Sequence, residues 1–361
     1  MLVSSLETRG FRNLDDDEIA IRRGITILHG PNGAGKTNLL EALYFGLTAS
    51  SFRSGPDRDL IAFEQRAARI ELELEGPSGR RHALLAALDR GGERRHLLDG
   101  RPPPSASERP PAAVFHPDRL ALLKGAPAHR RAHLDRFISA LWPARADLRQ
   151  RFGKTLAQRN ALASRVRTGE APLDSLAVWD ERLAAEAAPL IAARAEATSE
   201  LKSRFAERAA ALGLEEAAIA YRPRAEPDAE AIAGRLRELR AADLGRAYLA
   251  FGPQLDEVVV STVERALRRF GSQGQQRTAL LALLFCERDA LLAAGRPAPI
   301  MLLDDVMSEL DPAHRELLVA ELTGAGQALV TATEAAQVPA GSEASRIAVA
   351  AGSLRSLAAA A

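Results

Sequence analysis

The sequence predicts an α/β fold interrupted by a helical insertion, on three observations. Ile25 and Ile27 run straight into Gly30-Pro31-Asn32-Gly33-Ala34-Gly35-Lys36-Thr37, after which Leu39, Leu40 and Leu43 recur at helical spacing. Near the other end, Ile300 to Leu303 is a short all-apolar run closed by Asp304 and Asp305, the pattern of a strand buried on both faces. Between these two segments, residues 123–245 carry the period of helices.

In chain order, Ile19 and Ile21, then Ile25 and Ile27, read as short strands, the second entering the glycine-rich loop. Ile70, Leu72 and Leu74 alternate with Glu71, Glu73 and Glu75, the period of a half-exposed antiparallel strand, so the first lobe mixes sheet types. The proline-rich stretch Asp99 to Pro111 reads as a loop that ends this region. Leu134, Phe137, Ile138 and Leu141 form one helical stripe, and Leu148, Phe152 and Leu156 the next. Strand signals nearly vanish here, and Pro172, Pro189, Pro223 and Pro227 are expected to break the block into helices of ordinary length. No heptad train of coiled-coil length is present. Strands return at Ile300 to Leu303 and Ala328 to Thr333. The expected division is 1–122 and 246–361 as the two parts of one α/β domain, with 123–245 as the arm between them.

The composition excludes several classes. At 361 residues, with 47% hydrophobic and 26% charged residues, the chain reads as an ordinary soluble globular protein. The apolar run Thr278 to Cys286 is about half a membrane span and is closed by Arg277 and Glu287, so no crossing is expected. The start, Met1 to Glu7, lacks the basic and apolar regions of a secretory signal. A single cysteine, Cys286, leaves no internal disulfide and no multi-cysteine metal site, and both features point to the cytoplasm. The net charge of +1 hides an uneven distribution. Lys124 to Arg167 holds eleven Lys or Arg against Asp135 and Asp147, an electrostatic footprint for a polyanion if the side chains share a face.

Three motifs carry chemistry. Gly30 to Thr37 fits G-x-x-x-x-G-K-[ST], in which backbone N–H groups cradle phosphates, Lys36 adds a charge between the β and γ groups, and Thr37 ligates Mg²⁺. A strand ending in Asp304 and Asp305 places carboxylates at the C-terminal sheet edge, where ligands of α/β sheets bind. Asp304 is the expected magnesium residue and Asp305 the group that polarises the attacking water. Ser272-Gln273-Gly274-Gln275 precedes an amphipathic helix, so its N–H groups suit an anion. A chain with one phosphate cradle has little use for a second, which suggests that this turn covers the γ-phosphate of another copy's ATP in a twofold sandwich.

Together Gly30 to Leu43, Phe115 to Asp135, Ser272 to Thr278 and Leu302 to Asp311 resemble the RecF family, from end to end of the chain. That family belongs to the ABC-type ATPases that include Rad50 and the SMC proteins. The resemblance implies an ABC-type P-loop ATPase head with an inserted arm, using ATP and Mg²⁺ as an assembly switch. It implies a slow, DNA-stimulated ATPase in the cytoplasm, at the nucleoid, that dimerises with ATP and binds duplex, single-stranded or gapped DNA. The implied partners are RecR and RecO, with RecA loading, gap repair, replication restart and SOS induction as the outcome. By position, Ser272, Gly274 and Gln275 become the signature, Ser308, Glu309, Leu310 and Asp311 the D-loop, and Arg12 and Asn38 further nucleotide contacts. Arg130, Arg131, Arg145, Arg149, Arg151 and Lys154 become candidate DNA contacts.

Two departures point to a slow switch. Asp305 is one methylene shorter than the glutamate of many relatives, and Thr331 to Thr333 replace the histidine of transporters. Gln65 is the one candidate for a Q-loop. A transporter subunit needs only a short helical subdomain, and a Rad50-like protein needs long heptads and a Cys-x-x-Cys hook, so neither fits. A scaffold that binds ATP without turnover is the remaining alternative.

Overall fold

A six-stranded sheet and a five-stranded sheet share one core in the first unit of the computed structural model, Met1–Leu120 with Leu291–Ala361. The structure describes residues 1–76, 78–102, 109–246, 249–263, 265–323, 326–339, 341 and 343–357. Part of the expected Asp99 to Pro111 loop, 103–108, therefore lies outside the described residues. The five-stranded sheet contains β1 (Leu2–Arg9), β2 (Asp17–Ala20), β4 (Ala67–Glu75), β5 (Arg81–Asp89) and β6 (Arg94–Leu98) in the order β2-β1-β4-β5-β6, antiparallel throughout. In β4 the isoleucine and leucines are buried and the glutamates between them face outward, as their alternation requires.

The other sheet contains β3 (Gly24–His29), β7 (Ala112–Phe115), β11 (Ile300–Leu303), β12 (Gln327–Ala332), β13 (Ser345–Ala350) and β14 (Ser353–Leu357). Its order is β14-β13-β3-β12-β11-β7, with all neighbours parallel except β13 and β14. The loops after β3, β7, β11 and β12 therefore leave from one edge. Helix α1 (Lys36–Thr48) lies in the core between the sheets, with Leu39, Leu40 and Leu43 clustered with Leu6, Ile70 and Leu72 on one side and Leu28, Leu302 and Leu329 on the other. Burying each such leucine contributes roughly 1.5–3 kcal/mol, so docking of α1 outweighs its helix propensity.

The close approach of α1 to β4 is permitted by Gly46, where a Cβ would lie 2.8 Å from both Ile70 Cγ2 and Leu72 Cδ1. The carbonyl of Gly46 also accepts His96 Nε2 at 3.1 Å, while Arg109 Nη1 donates to His96 Nδ1 at 2.9 Å. Burial, aided by Arg109, lowers the His96 pKa to about 4. A depressed histidine disfavours its charged form on folding, so its contribution is full above the unfolded pKa near 6.5 and is lost as pH falls towards 4. Thermal midpoints are expected to fall over that window more steeply in the wild type than in His96→Gln. Equal slopes would reject this assignment.

The second unit, Ala121–Ala290, holds α2 (Ala121–Lys124), α3 (Pro127–Leu141), α4 (Leu148–Arg167), α5 (Leu176–Ala211), α6 (Ala229–Arg246) and α7 (Leu267–Phe270). It also holds most of α8 (Gln273–Ala293), while α9 (Pro312–Leu322) belongs to the first unit. A small antiparallel sheet in the order β10-β9-β8 joins β8 (Ala217–Arg222), β9 (Glu257–Thr262) and β10 (Arg265–Ala266). Among the described residues no helix is long and apolar enough to cross a membrane.

Three sequence expectations change here. Pro189 does not end its helix but sits inside the 36 residues of α5. The carbonyl it leaves without an i+4 donor belongs to Ala185, which is exposed to solvent, while Leu183, Ala187, Leu190 and Ile191 are packed on either side. An alanine-rich stretch hides β8, whose signal is Ile219 and Tyr221 at period two. The second boundary falls at Ala290/Leu291 rather than 245/246, because β9 pairs with β8 along its whole length and draws the following chain into the arm.

Candidate functional site

The loop after β3 is shaped for close backbone contact with an anion. At Gly30, with φ of 154°, a Cβ would lie 2.1 Å from the Val349 carbonyl oxygen, so no side chain fits. Gly35, with φ of 112°, is the left-handed residue that turns the loop into α1. The loop is pinned from behind, with Gly30 N donating to Thr333 O at 3.2 Å and Gly352 N to Ala34 O at 2.9 Å. Pro31, Asn32 and Gly33 are exposed. Lys36 Nζ folds back onto the carbonyls of Gly30 and Pro31, at 2.6 and 3.0 Å. Burial lowers the Lys36 pKa, against the opposing pull of Asp304 and Asp305.

Sheet register brings the acids to this loop. Asp304 is buried, and Thr37 Oγ1 lies 2.9 Å from both of its carboxylate oxygens. Thr331, at the end of β12, donates its hydroxyl to Asp304 Oδ1 at 2.9 Å and accepts the backbone N–H of Asp305 at 2.8 Å, so one side chain orders both acids. Asp305 adopts φ of 51° and is exposed. The set of a hydroxyl and a carboxylate suits a hard cation, and having so few protein donors suits magnesium, which keeps waters and phosphates as its other ligands. Among the described residues there is no cluster of three or more His, Cys, Asp or Glu for a protein-only metal cage.

His116 follows β7 and stands next to these acids, with Nε2 3.5 Å from Asp304 Oδ2. Burial lowers its pKa, although Asp304 opposes the shift. Its signal in the sequence was the apolar run Ala112 to Phe115, a counterpart of Ile300 to Leu303. Gln65 does not take such a place: it is exposed in the turn beside Gly10, and its carbonyl accepts Arg90.

Arg12 is paired with an acid of α1. Its Nε and Nη2 make two 3.0 Å bonds to Glu41, which is fully buried in α1 and also receives Ser51 Oγ at 2.6 Å. Arg53 lies 3.3 Å from the same carboxylate and donates to Asn38 Oδ1 at 2.8 Å, and Asn38 in turn donates to Asn13 Oδ1 at 2.5 Å. Glu41 thus gathers two guanidinium groups one turn beyond Lys36. Sequence reasoning missed Glu41 and Arg53, because an acid in a helix gives no sign that it is buried.

In the second unit, the turn Ser272 to Gln275 is exposed and forms a reciprocal helix cap: Gln275 N donates to Ser272 Oγ at 3.1 Å, and Ser272 N to Gln275 Oε1 at 2.9 Å. Gly274 is exposed beside it. In the first unit, Ser308 Oγ donates to Asp305 O at 3.0 Å, and Asp311 caps α9 by accepting His314 N at 3.0 Å. Glu309 belongs to the turn before Leu310.

The basic arm residues divide into two groups. Arg130 is buried, bonded to Glu257 at 2.9 and 3.1 Å and to the carbonyls of Leu122, Leu123 and Gly125, so its guanidinium is committed within the arm. Arg131 donates to the Asp256 carbonyl at 2.7 Å and is likewise committed within the arm. Arg145 is held by Glu196 and stacks on Trp142, and Arg151 pairs with Glu186. Arg149 and Lys154 are exposed on α4.

Known proteins resemble the chain in sequence and in fold. Residues 5–105 match the family described as "AAA domain". The chain is 34% identical to the DNA replication and repair protein RecF of Heliobacterium modesticaldum, over 92% of each chain. It is similar to a structure of the recombination mediator protein RecF with ATP in the RecFOR pathway, with a TM-score of 0.89 and 25% identity over 99% of this chain and 98% of that one. An SMC head domain from Pyrococcus furiosus shares the fold, with a TM-score of 0.58 and 16% identity over 99% of this chain and 96% of that one.

Proposed function

Since the chain belongs to the RecF family of DNA replication and repair proteins, we propose that it is an ATP-operated DNA clamp of recombinational repair. The carrying observation is the convergence of Lys36, Thr37, Asp304 and Thr331 beside a backbone cradle that excludes side chains at Gly30. In this reading ATP occupies the loop, Thr37 and Asp304 hold Mg²⁺, and Asp305 activates water. The exposed turn Ser272–Gln275 of a second copy covers the γ-phosphate, and Ser308 to Asp311 lie at the same twofold interface. DNA lies along the arm, held through its phosphates by Arg149 and Lys154. Slow, DNA-stimulated hydrolysis then opens the dimer. RecR and RecO act with it to load RecA on gapped DNA, supporting replication restart and SOS induction.

Sedimentation velocity with and without ATP-Mg²⁺ and a short labelled duplex tests the clamp. A monomer-to-dimer shift that requires ATP and carries DNA with it is the expected result. A monomer that ignores both would reject it. Ser272→Arg is expected to retain ATP binding by the monomer and to lose the dimer, because the added bulk stands where a partner's phosphate would approach. Loss of ATP binding by the variant monomer would contradict an action across the interface.

A further inference from the structure

We propose that His116 is a positioning residue for the Asp304 carboxylate and, through it, for the divalent cation of the nucleotide site. The inference rests on the Mg²⁺-ATP reading above and adds a residue that reading does not use. Backbone register places it: Phe115 pairs with Leu303, and Phe115 O accepts Asp304 N at 2.8 Å, so the residues that follow the two strands stand side by side.

The ring is then fixed in orientation. Asp118 N donates to Nδ1 at 3.1 Å, which leaves the ring proton on Nε2, the atom 3.5 Å from Asp304 Oδ2. The ring packs against Phe52, tilted by 50° with centroids 5.2 Å apart. The segment is anchored again at Arg119, whose Nη2 donates to Tyr44 Oη at 3.1 Å.

Hydrogen-bond bookkeeping shows why Asp304 needs this neighbour. Thr331 serves Oδ1, and Thr37 has a single hydroxyl proton for two oxygens that are both 2.9 Å away. Whenever Thr37 serves Oδ1, the ring nitrogen that faces Oδ2 is His116 Nε2, at 3.5 Å. Outer partners of this kind commonly change metal affinity by about 10–100-fold when removed.

The test is Mn²⁺ binding, followed by electron paramagnetic resonance, to full-length protein loaded with a non-hydrolysable ATP analogue. His116→Ala is expected to weaken Mn²⁺ binding about 10-fold or more, with metal-free nucleotide affinity unchanged. His116→Gln carries its amide nitrogen at the Nε2 position and is expected to restore binding, whereas His116→Asn, with its amide at the Nδ1 position, is not. The Gln and Asn pair keeps the test decisive should the alanine variant unfold. Equal Mn²⁺ binding by wild type, Ala and Asn variants would overturn the proposal. Failure of the wild type to take up Mn²⁺ with nucleotide would instead overturn the nucleotide-site reading, and this inference with it.

Discussion

Asp304→Asn is expected to lose Mg²⁺-dependent nucleotide binding and turnover while remaining folded. The carboxamide oxygen can still accept Thr331 and Thr37, which lie 2.9 Å from the present carboxylate, so the local change is confined to the position that faces His116 Nε2 at 3.5 Å. What disappears is a negative charge beside a dication. One unit-charge pair at 4 Å is worth about 4 kcal/mol at an effective dielectric constant of 20, or roughly a thousandfold in affinity. The expected effect is therefore a loss of Mn²⁺ binding of that order, with an unfolding midpoint close to wild type. Asp305→Asn separates the two acids. Asp305 is exposed, and it is its backbone, through the N–H to Thr331 at 2.8 Å, that is tied into the site. Its variant is expected to bind metal and ATP normally, to turn over more slowly and to keep the dimer closed for longer. If the two variants behaved alike in Mn²⁺ binding, the division of labour between the acids would be wrong.

The parts of this site legible in the sequence were those written in consecutive residues. Gly30 to Thr37 specify a loop through backbone conformation and a charge at fixed offset, and Ile300 to Leu303 specify a buried strand that must deliver Asp304 to a sheet edge. His116 was not legible in the same way, because its role comes from the register between β7 and β11, strands far apart in the chain. Thr331 illustrates the same limit. As a residue type it reads only as a missing histidine, whereas in space it holds both acids.

The arm shows how local charge counting misleads. The excess of basic residues between Lys124 and Arg167 is answered by acids elsewhere in the same unit: Glu257 for Arg130, Glu196 for Arg145, Glu186 for Arg151, and Asp180 for Arg159. Arg159 is 1% exposed and has no share in any surface field. A charge run predicts an anion-binding face only for side chains that remain solvated, here Arg149 and Lys154 most clearly.

Arg194→Met is expected to destabilise the second unit by about 3–5 kcal/mol, the usual cost of removing one member of a buried ion pair. Arg194 is 4% exposed and donates Nε and Nη2 to the two oxygens of Asp135, at 2.8 and 3.0 Å. Its Nη1 donates to Pro253 O at 2.7 Å and to Asp256 Oδ2 at 3.2 Å. One guanidinium thus ties α3 and α5 to the segment before β9. Without it, the ion pair left to Asp135 among the described residues is Arg149 at 3.7 Å, and Asp256 keeps the Tyr221 hydroxyl and Arg224 N. Tyr221 cannot replace the lost charge: burial first, and then Asp256, push its pKa up, so it remains a neutral donor. Methionine fills much of the volume, so the expected cost comes from two buried carboxylates left short of a cation and not from a cavity. Adding Asp135→Asn to Arg194→Met should then recover part of the loss. Urea unfolding of the single and double variants measures this coupling directly. A double variant less stable than Arg194→Met alone would show that the arginine acts through packing, and the electrostatic account of the arm's base would fail.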